Sequence, residues 1–308
     1  MGDHQPVLLG EALEALAIRD DGHYVDGTFG RGGHARAILD RLGDEGRLLA
    51  IDRDPDAVAA ARTQLGADPR VRIEQGNFAE MAAISARAGF KRGFDGILLD
   101  LGVSSPQLDR ADRGFSFLSD GPLDMRMDPT QGESAADWIN AVSEHDLCGV
   151  IRQFGEERFA RRIAGAIVRA REERPITSTA RLADVVAAAV RTREPGKHPA
   201  TRTFQAIRIH INDELGALRR GLDAALENLS PGGRLAVISF HSLEDRIVKR
   251  FIRQNSREDE VWRGLPDIPE HARPRLAAVG RAIRPSEDEK RANPRSRSAV
   301  LRIAERTR

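Results

Sequence analysis

Val25-Asp26-Gly27-Thr28-Phe29-Gly30-Arg31-Gly32-Gly33-His34 packs a strand end, a glycine-dense turn and a helix start into ten residues. Tyr24-Val25-Asp26 reads as a short strand, and Ala37, Ile38 and Leu42 recur at the spacing of one helix face. Such a turn aims backbone N–H groups at a ligand and lets it approach the main chain closely. The spacing is not the dinucleotide G-x-G-x-x-G, and no Gly-Lys-Ser/Thr follows to grip phosphate. A tight turn alone would also account for glycines here, although their density at Gly30, Gly32 and Gly33 favours a ligand. His34, by position, fits an ordinary first-turn helix residue equally well.

Working outward, strand and helix signals alternate. Arg47 to Ile51 reads as a second strand and Pro55 to Leu65 as a helix, with Pro55 at a favourable first position. Val71 to Ile73 is a short third strand. Phe94 to Leu101 is a fourth, nearly all apolar, as a strand buried on both faces should be. This rhythm predicts a parallel, doubly wound sheet. It then stops. Residues 105–133 read as an ordered loop, and 134–193 as purely helical, with clear periodicity over Arg158 to Arg171 and Ala180 to Val190. After a break at 194–199, one long helical stretch is expected from Thr201 to Leu229, ending at Pro231-Gly232-Gly233. Arg234 to Phe240 reads as a fifth buried strand, Ser242 with Asp245 as the cap of the next helix, and Ala299 to Ile303 as a last strand. Strands thus flank a helical insertion: residues 1–108 and 206–308 form an α/β domain, and 109–205 an inserted, mostly helical subdomain suited to substrate recognition.

Four features fall at the carboxyl ends of neighbouring strands, where open α/β sheets bind ligands. The first is the turn itself. Asp52, about 20 residues further on, suits the two hydroxyls of a ribose. Asp54 fits the capping of the following helix better than Asp52 does. Gly76-Asn77-Phe78 offers backbone and a ring to an adenine, though spacing alone favours Phe78 as core. Asp100-Leu101-Gly102 is the fourth. A ribose carboxylate without a phosphate grip suits S-adenosylmethionine better than NAD.

Asp100 to Gln107 follows the fourth strand directly, where amino-group methyltransferases usually carry an Asp/Asn/Ser-Pro-Pro-aromatic motif. A cytosine amino group is a weak nucleophile because its lone pair is delocalised. Oxygen acceptors holding its N–H groups turn that lone pair toward a methyl sulfonium, and the remaining need is alignment. Asp100, Ser104, Ser105 and Pro106 are the candidate catalytic residues. The second proline and the aromatic are missing, so Phe115 and Phe117 are candidates for stacking on the base. Methylation at carbon 5 would need a thiolate. The lone cysteine, Cys148, lies in the helical insertion and reads as buried and inert.

Composition narrows the setting. The 308 residues carry 48 Lys+Arg against 47 Asp+Glu, a net charge of +1, so any nucleic-acid surface must be local. One such candidate is segment 284–308, with eight basic and four acidic residues. One cysteine fits a reducing compartment. No signal peptide and no apolar membrane span is legible, and a cytoplasmic enzyme is expected.

The chain also resembles the MraW family of bacterial 16S rRNA (cytosine N4)-methyltransferases nearly end to end. The resemblance runs through Asp26 to His34, Ile51 to Pro55, Asp100 to Gln107, Gly121 to Asp128, Thr201 to Ala206, Ser239 to Arg246 and Asn293 to Ser298. It implies a Rossmann-like class I methyltransferase sheet with an inserted all-helical subdomain. It implies methyl transfer from S-adenosylmethionine to the cytidine conventionally numbered 1402, in 16S rRNA of the assembled small subunit. By the same resemblance Gly32, Gly33, His34, Asp52, Phe78, Asp100 and Gln107 contact the cofactor, and no metal is needed. A homodimer is compatible with all this. So are two rival readings: methylation of another nucleic acid, and a non-catalytic RNA-binding assembly factor.

Overall fold

The computed structural model describes residues 6–190, 198–258, 261–262 and 269–308; most of the expected break at 194–199 lies outside them. The chain divides into two compact units. One comprises residues 1–102 with 215–308, the other 103–214.

The first unit holds a seven-stranded sheet: β1 (His23–Asp26), β2 (Arg47–Asp52), β3 (Val71–Gln75), β4 (Phe94–Asp100), β5 (Leu229–Ser239), β6 (Leu276–Ala278) and β7 (Val300–Arg306). Their order is β3-β2-β1-β4-β5-β7-β6. The first five run parallel, and β7 is antiparallel to both β5 and β6. Helices α1 (Leu9–Leu16), α2 (Gly33–Leu39), α3 (Pro55–Leu65) and α4 (Met81–Arg87) accompany the first strands. The strand order reverses at β1, and the crevice beyond the carboxyl ends of β1 and β4 is the usual ligand position in such sheets.

Local chemistry explains the elements. Helix α3 starts as the sequence predicts: Asp54 caps it by accepting from the Asp56 N–H, with Pro55 at the first position. Helix α2 stops at Leu39, short of the expected Leu42, yet Leu42 still packs in the core beside Ile38. Two apolar clusters cover the sheet. Tyr24, Ile38, Leu48, Leu98 and Ile238 belong to one, and Val25, Leu49, Ile97, Leu222 and Val237 to the other. Alternate residues of β1, β2, β4 and β5 thus enter opposite layers, which is why these strands read as continuous apolar runs.

The second unit carries the short α5 (Ser105–Asp109), then α6 (Ala135–Ala141), α7 (Glu144–Gly155), α8 (Ala160–Glu173), α9 (Thr179–Ala189) and α10 (Thr201–Ile211). Its core includes Leu123, Met125, Ile151, Ile163, Val186 and Phe204. It extends beyond 109–205 because Val103, Leu108, Ile207 and Ile211 pack on that same core. The single long helix expected over 201–229 is two: α10 and α11 (Glu214–Asn228), parted at Asn212-Asp213. Asp213 has φ +47°, and the Asn212 side chain is drawn into the loop core, accepting from the Met127 N–H and donating to the Met125 carbonyl. Strand β5 then begins at Leu229, so Pro231-Gly232-Gly233 lies within the strand and not at a helix end.

Helix α12 (Ser242–Asn255) is capped differently from expectation. His241 holds the cap position, and Glu244, three residues into the turn, accepts from the Phe240 and His241 N–H groups. Asp245 instead makes a two-pronged ion pair with Arg302 of β7, at 2.7 and 3.1 Å. Helix α13 (Glu287–Ala292) precedes β7, and no described helix is long and apolar enough to cross a membrane.

Candidate active site

Three aspartates end three adjacent strands: Asp26 on β1, Asp52 on β2 and Asp100 on β4. Parallel pairing brings them to one edge, since Asp26 pairs in register with Ala50 and with Leu98. The glycine-dense turn is tied into the same edge. The Gly27 N–H donates to the Leu98 carbonyl and the Phe29 N–H to the Ile51 carbonyl, so both flanking strands hold the loop. The Thr28 hydroxyl accepts from the Asp100 N–H at 2.7 Å.

Each carboxylate has its own environment. Asp52 accepts from the Gly30 N–H at 2.8 Å and the Asp54 N–H at 2.9 Å, one on each oxygen. That leaves one lone pair on each oxygen for a ligand. Burial raises its pKa to about 6 against the pull of those two donors. Asp26 is buried, accepts from the Thr28 N–H on one oxygen, and has no partner on the other. Burial, with Asp52 nearby, lifts its pKa to about 7. Asp100 has one buried oxygen without a partner, and burial plus the charges of Asp26 and Glu244 push its pKa well up.

His34 lies in the first turn of α2 and is buried. Its Nε2 is 3.1 Å from the Val7 carbonyl, so Nε2 carries the proton. Its Nδ1 faces Asp100 at 3.6 Å, and burial lowers its pKa to about 4. The histidine is therefore neutral at pH 7 and supplies Asp100 with no positive charge.

The predicted cofactor residues Gly32, Gly33, His34, Asp52 and Asp100 thus gather at the sheet edge by β1, β2 and β4. Gly32 has φ +77°, and a Cβ on it would lie 2.3 Å from the Phe29 ring. A side chain there is excluded twice over, by backbone and by contact. Phe78 follows β3; its ring is half-buried against Gly221 of α11, while its Cβ would lie 3.2 Å from a Cβ placed on Gly27, at the start of the turn. Ser104, Ser105, Pro106 and Gln107 fall in the second unit, in and around the short helix α5. There the Gln107 Oε1 accepts from the Ser104 N–H at 2.9 Å, and Ser105 is buried.

Other readings resolve locally. Phe204 is buried in the core of the second unit, and Phe117 packs edge-on against it at 4.8 Å; Phe115 is buried too. In the loop Gly121 to Asp128, Arg126 clasps Asp124 with bonds of 2.9 and 2.7 Å, and Asp128 accepts from Thr130 and Gln131. Cys148 is only partly buried, because it lies on the half-exposed side of α7 within 3.5 Å of Arg152. Asp26 and Glu244 were not singled out from sequence. The signal was present for Asp26: it ends its strand as Asp52 and Asp100 end theirs.

This strand order, with acceptor carboxylates rather than a phosphate loop at the switch point, defines a methyltransferase with a Rossmann-like sheet. The chain belongs to the MraW methylase family, whose family model matches residues 1–307. It is 62% identical over 304 residues to Ribosomal RNA small subunit methyltransferase H of Chromohalobacter salexigens, covering 98% of this chain and 91% of that protein. Among solved structures it is similar to an rRNA methylase from Streptococcus thermophilus, at 10% identity, TM-score 0.46 and full coverage of both chains. It is also similar to N-methyltransferase NodS from Bradyrhizobium japonicum, at 10% identity, TM-score 0.42, covering 97% of this chain and 94% of the other.

Proposed function

We infer that the protein transfers a methyl group from S-adenosylmethionine to the N4 amino group of a cytidine in small-subunit ribosomal RNA. The observation that carries the cofactor half is the set of open acceptors at one sheet edge. Asp52 has free lone pairs on both oxygens, and Asp100 has a buried oxygen with no partner. A ribose diol and an ammonium are the complementary donors, and S-adenosylmethionine carries both. When bound, it supplies an electrophilic methyl group on a sulfonium.

The chain's own residues do the positioning. Asp52 accepts from the ribose hydroxyls while Gly30 and Asp54 keep its carboxylate oriented. Asp100 would accept from the ammonium, whose charge would favour the carboxylate form against the burial that raises its pKa. Ser104, Ser105 and Pro106 come next in the chain and are the residues proposed to hold the N–H groups of the base. The base nitrogen would take the methyl group as the S–C bond breaks and a neutral thioether leaves, and the cationic amino group would then release its proton to solvent. No enzyme nucleophile is required, so a half-exposed Cys148 takes no part.

The acceptor half rests on family membership and on the likeness to the Chromohalobacter protein. That printed name supports ribosomal RNA of the small subunit as the substrate; the assembled subunit as its form, the cytoplasm as the place and the helical unit as one part that meets RNA belong to the same proposal. Asp100→Ala tests the enzyme reading. Transfer to small subunits should fall by about a hundredfold or more, with subunit binding retained. Unchanged transfer would remove Asp100 from the chemistry and leave the site without its ammonium acceptor.

A further inference from the structure

Away from the carboxylate edge, the first unit contains a second cleft of about 290 Å³, between α12 and the segment joining β6 toward β7. Among the described residues, no carboxylate lines it. Its walls carry Lys249, Arg253, Arg257 and Arg281, none of which has an ion-pair partner among the described residues. Arg302 also lines it, with its charge already met by Asp245. The floor is apolar, through Ile252, Val279 and Ile303.

Lys249 and Arg253 lie one turn apart on the same face of α12, about 6 Å along its axis, and Arg257 lines the same cleft two residues past the helix end. Four cations around one cleft with no ion-pair partner among the described residues stand out in a chain whose net charge is +1. Like charges brought together without counter-charges cost free energy, and a polyanion repays it. The Ser256 hydroxyl adds an unpartnered, buried polar atom to the lining. A ladder of cations over an apolar floor fits a nucleotide strand, phosphates on the ladder and sugar or base on the floor.

We propose that this cleft is a backbone-docking site for single-stranded RNA, separate from the site of methyl transfer. The proposal rests on the reading of ribosomal RNA as the substrate. The Gln variants at Lys249, Arg253 and Arg257, made together, test it in the full-length protein. Binding of a labelled uridine oligonucleotide and of small ribosomal subunits should weaken at least tenfold. The salt dependence should flatten by about 2 in log–log slope, at roughly 0.7 per lost phosphate contact. Affinity for S-adenosylmethionine should not change, which also reports that the fold is intact. Arg281→Gln, on the opposite wall and outside any helix, should weaken RNA binding independently, with a slope change of its own.

Parent-like RNA affinity and salt slope in both variants would overturn the cleft. So would poly-glutamate displacing the oligonucleotide at equal charge concentration, since that would make the cleft a general anion site. If instead the parent methylates no RNA while these variants lose RNA binding, the function reading fails and the cleft stands.

Discussion

Asp52 is the residue on which cofactor affinity should turn, and its environment sets a pH dependence. A carboxylate accepts from ribose hydroxyls on both oxygens, whereas the protonated acid has turned one of them into a donor. With its pKa at about 6, affinity for S-adenosylmethionine should weaken as pH falls through 6. Calorimetric titration of the parent and of Asp52→Asn checks this: the variant should bind at least tenfold more weakly at pH 8 and lose that pH dependence. Asp26 governs stability in the opposite sense. Its pKa rises from 3.8 unfolded to about 7 folded, so the native state holds a proton that the unfolded state has released. The stabilisation is complete below about pH 4 and is lost as pH climbs through 7. Asp26→Asn should raise unfolding free energy at pH 8 by roughly 1–3 kcal/mol and flatten that decline, read by urea denaturation without cofactor. Neither shift was legible in the sequence. That three aspartates end three strands was visible, but desolvation and an unmet oxygen are properties of what packs around them.

Among the elements, those with local stop and start chemistry were legible and those fixed by tertiary contact were not. Helix α3 matches its reading residue for residue because Asp54 and Pro55 are local signals. The break between α10 and α11 has no glycine or proline to announce it; Asp213 turns left-handed while Asn212 is held by the loop at Met125 to Met127. Strand β6 is three residues long and was not read at all, since it exists only by pairing with the end of β7. At α12 the better capping residue by type, Ser242, lost to His241 because Glu244 turns inward to the strand end. The same reasoning yields a stability prediction at α1. Its terminating residue, Ala17, is exposed and sits at φ +47°, where a Cβ is strained. Ala17→Gly should stabilise the protein by about 1 kcal/mol, measured by thermal or urea unfolding. A loss of stability would mean that the methyl group contributes packing there.

For the molecule as a whole, the parallel strand–helix rhythm was legible before the extent of the insertion. The parallel sheet follows from apolar runs separated by helices, a pattern written along the chain. The extent of the helical unit does not, because Val103 and Ile211 join its core through contacts distant in sequence. The carboxylate edge is built almost wholly from one contiguous quarter of the chain, residues 26–100, so the residues proposed to hold the cofactor stand close together in the sequence. The acceptor is another matter, because base recognition draws on side chains whose partner is a ribosome. The most direct measurement is methyl transfer from labelled S-adenosylmethionine to small ribosomal subunits lacking the modification, followed by nucleoside mass spectrometry. N4-methylated cytidine, or its form with a second methyl on the ribose 2′-hydroxyl, is the predicted product. Cofactor binding without label in RNA, or label on carbon 5 of cytosine, would contradict the reading.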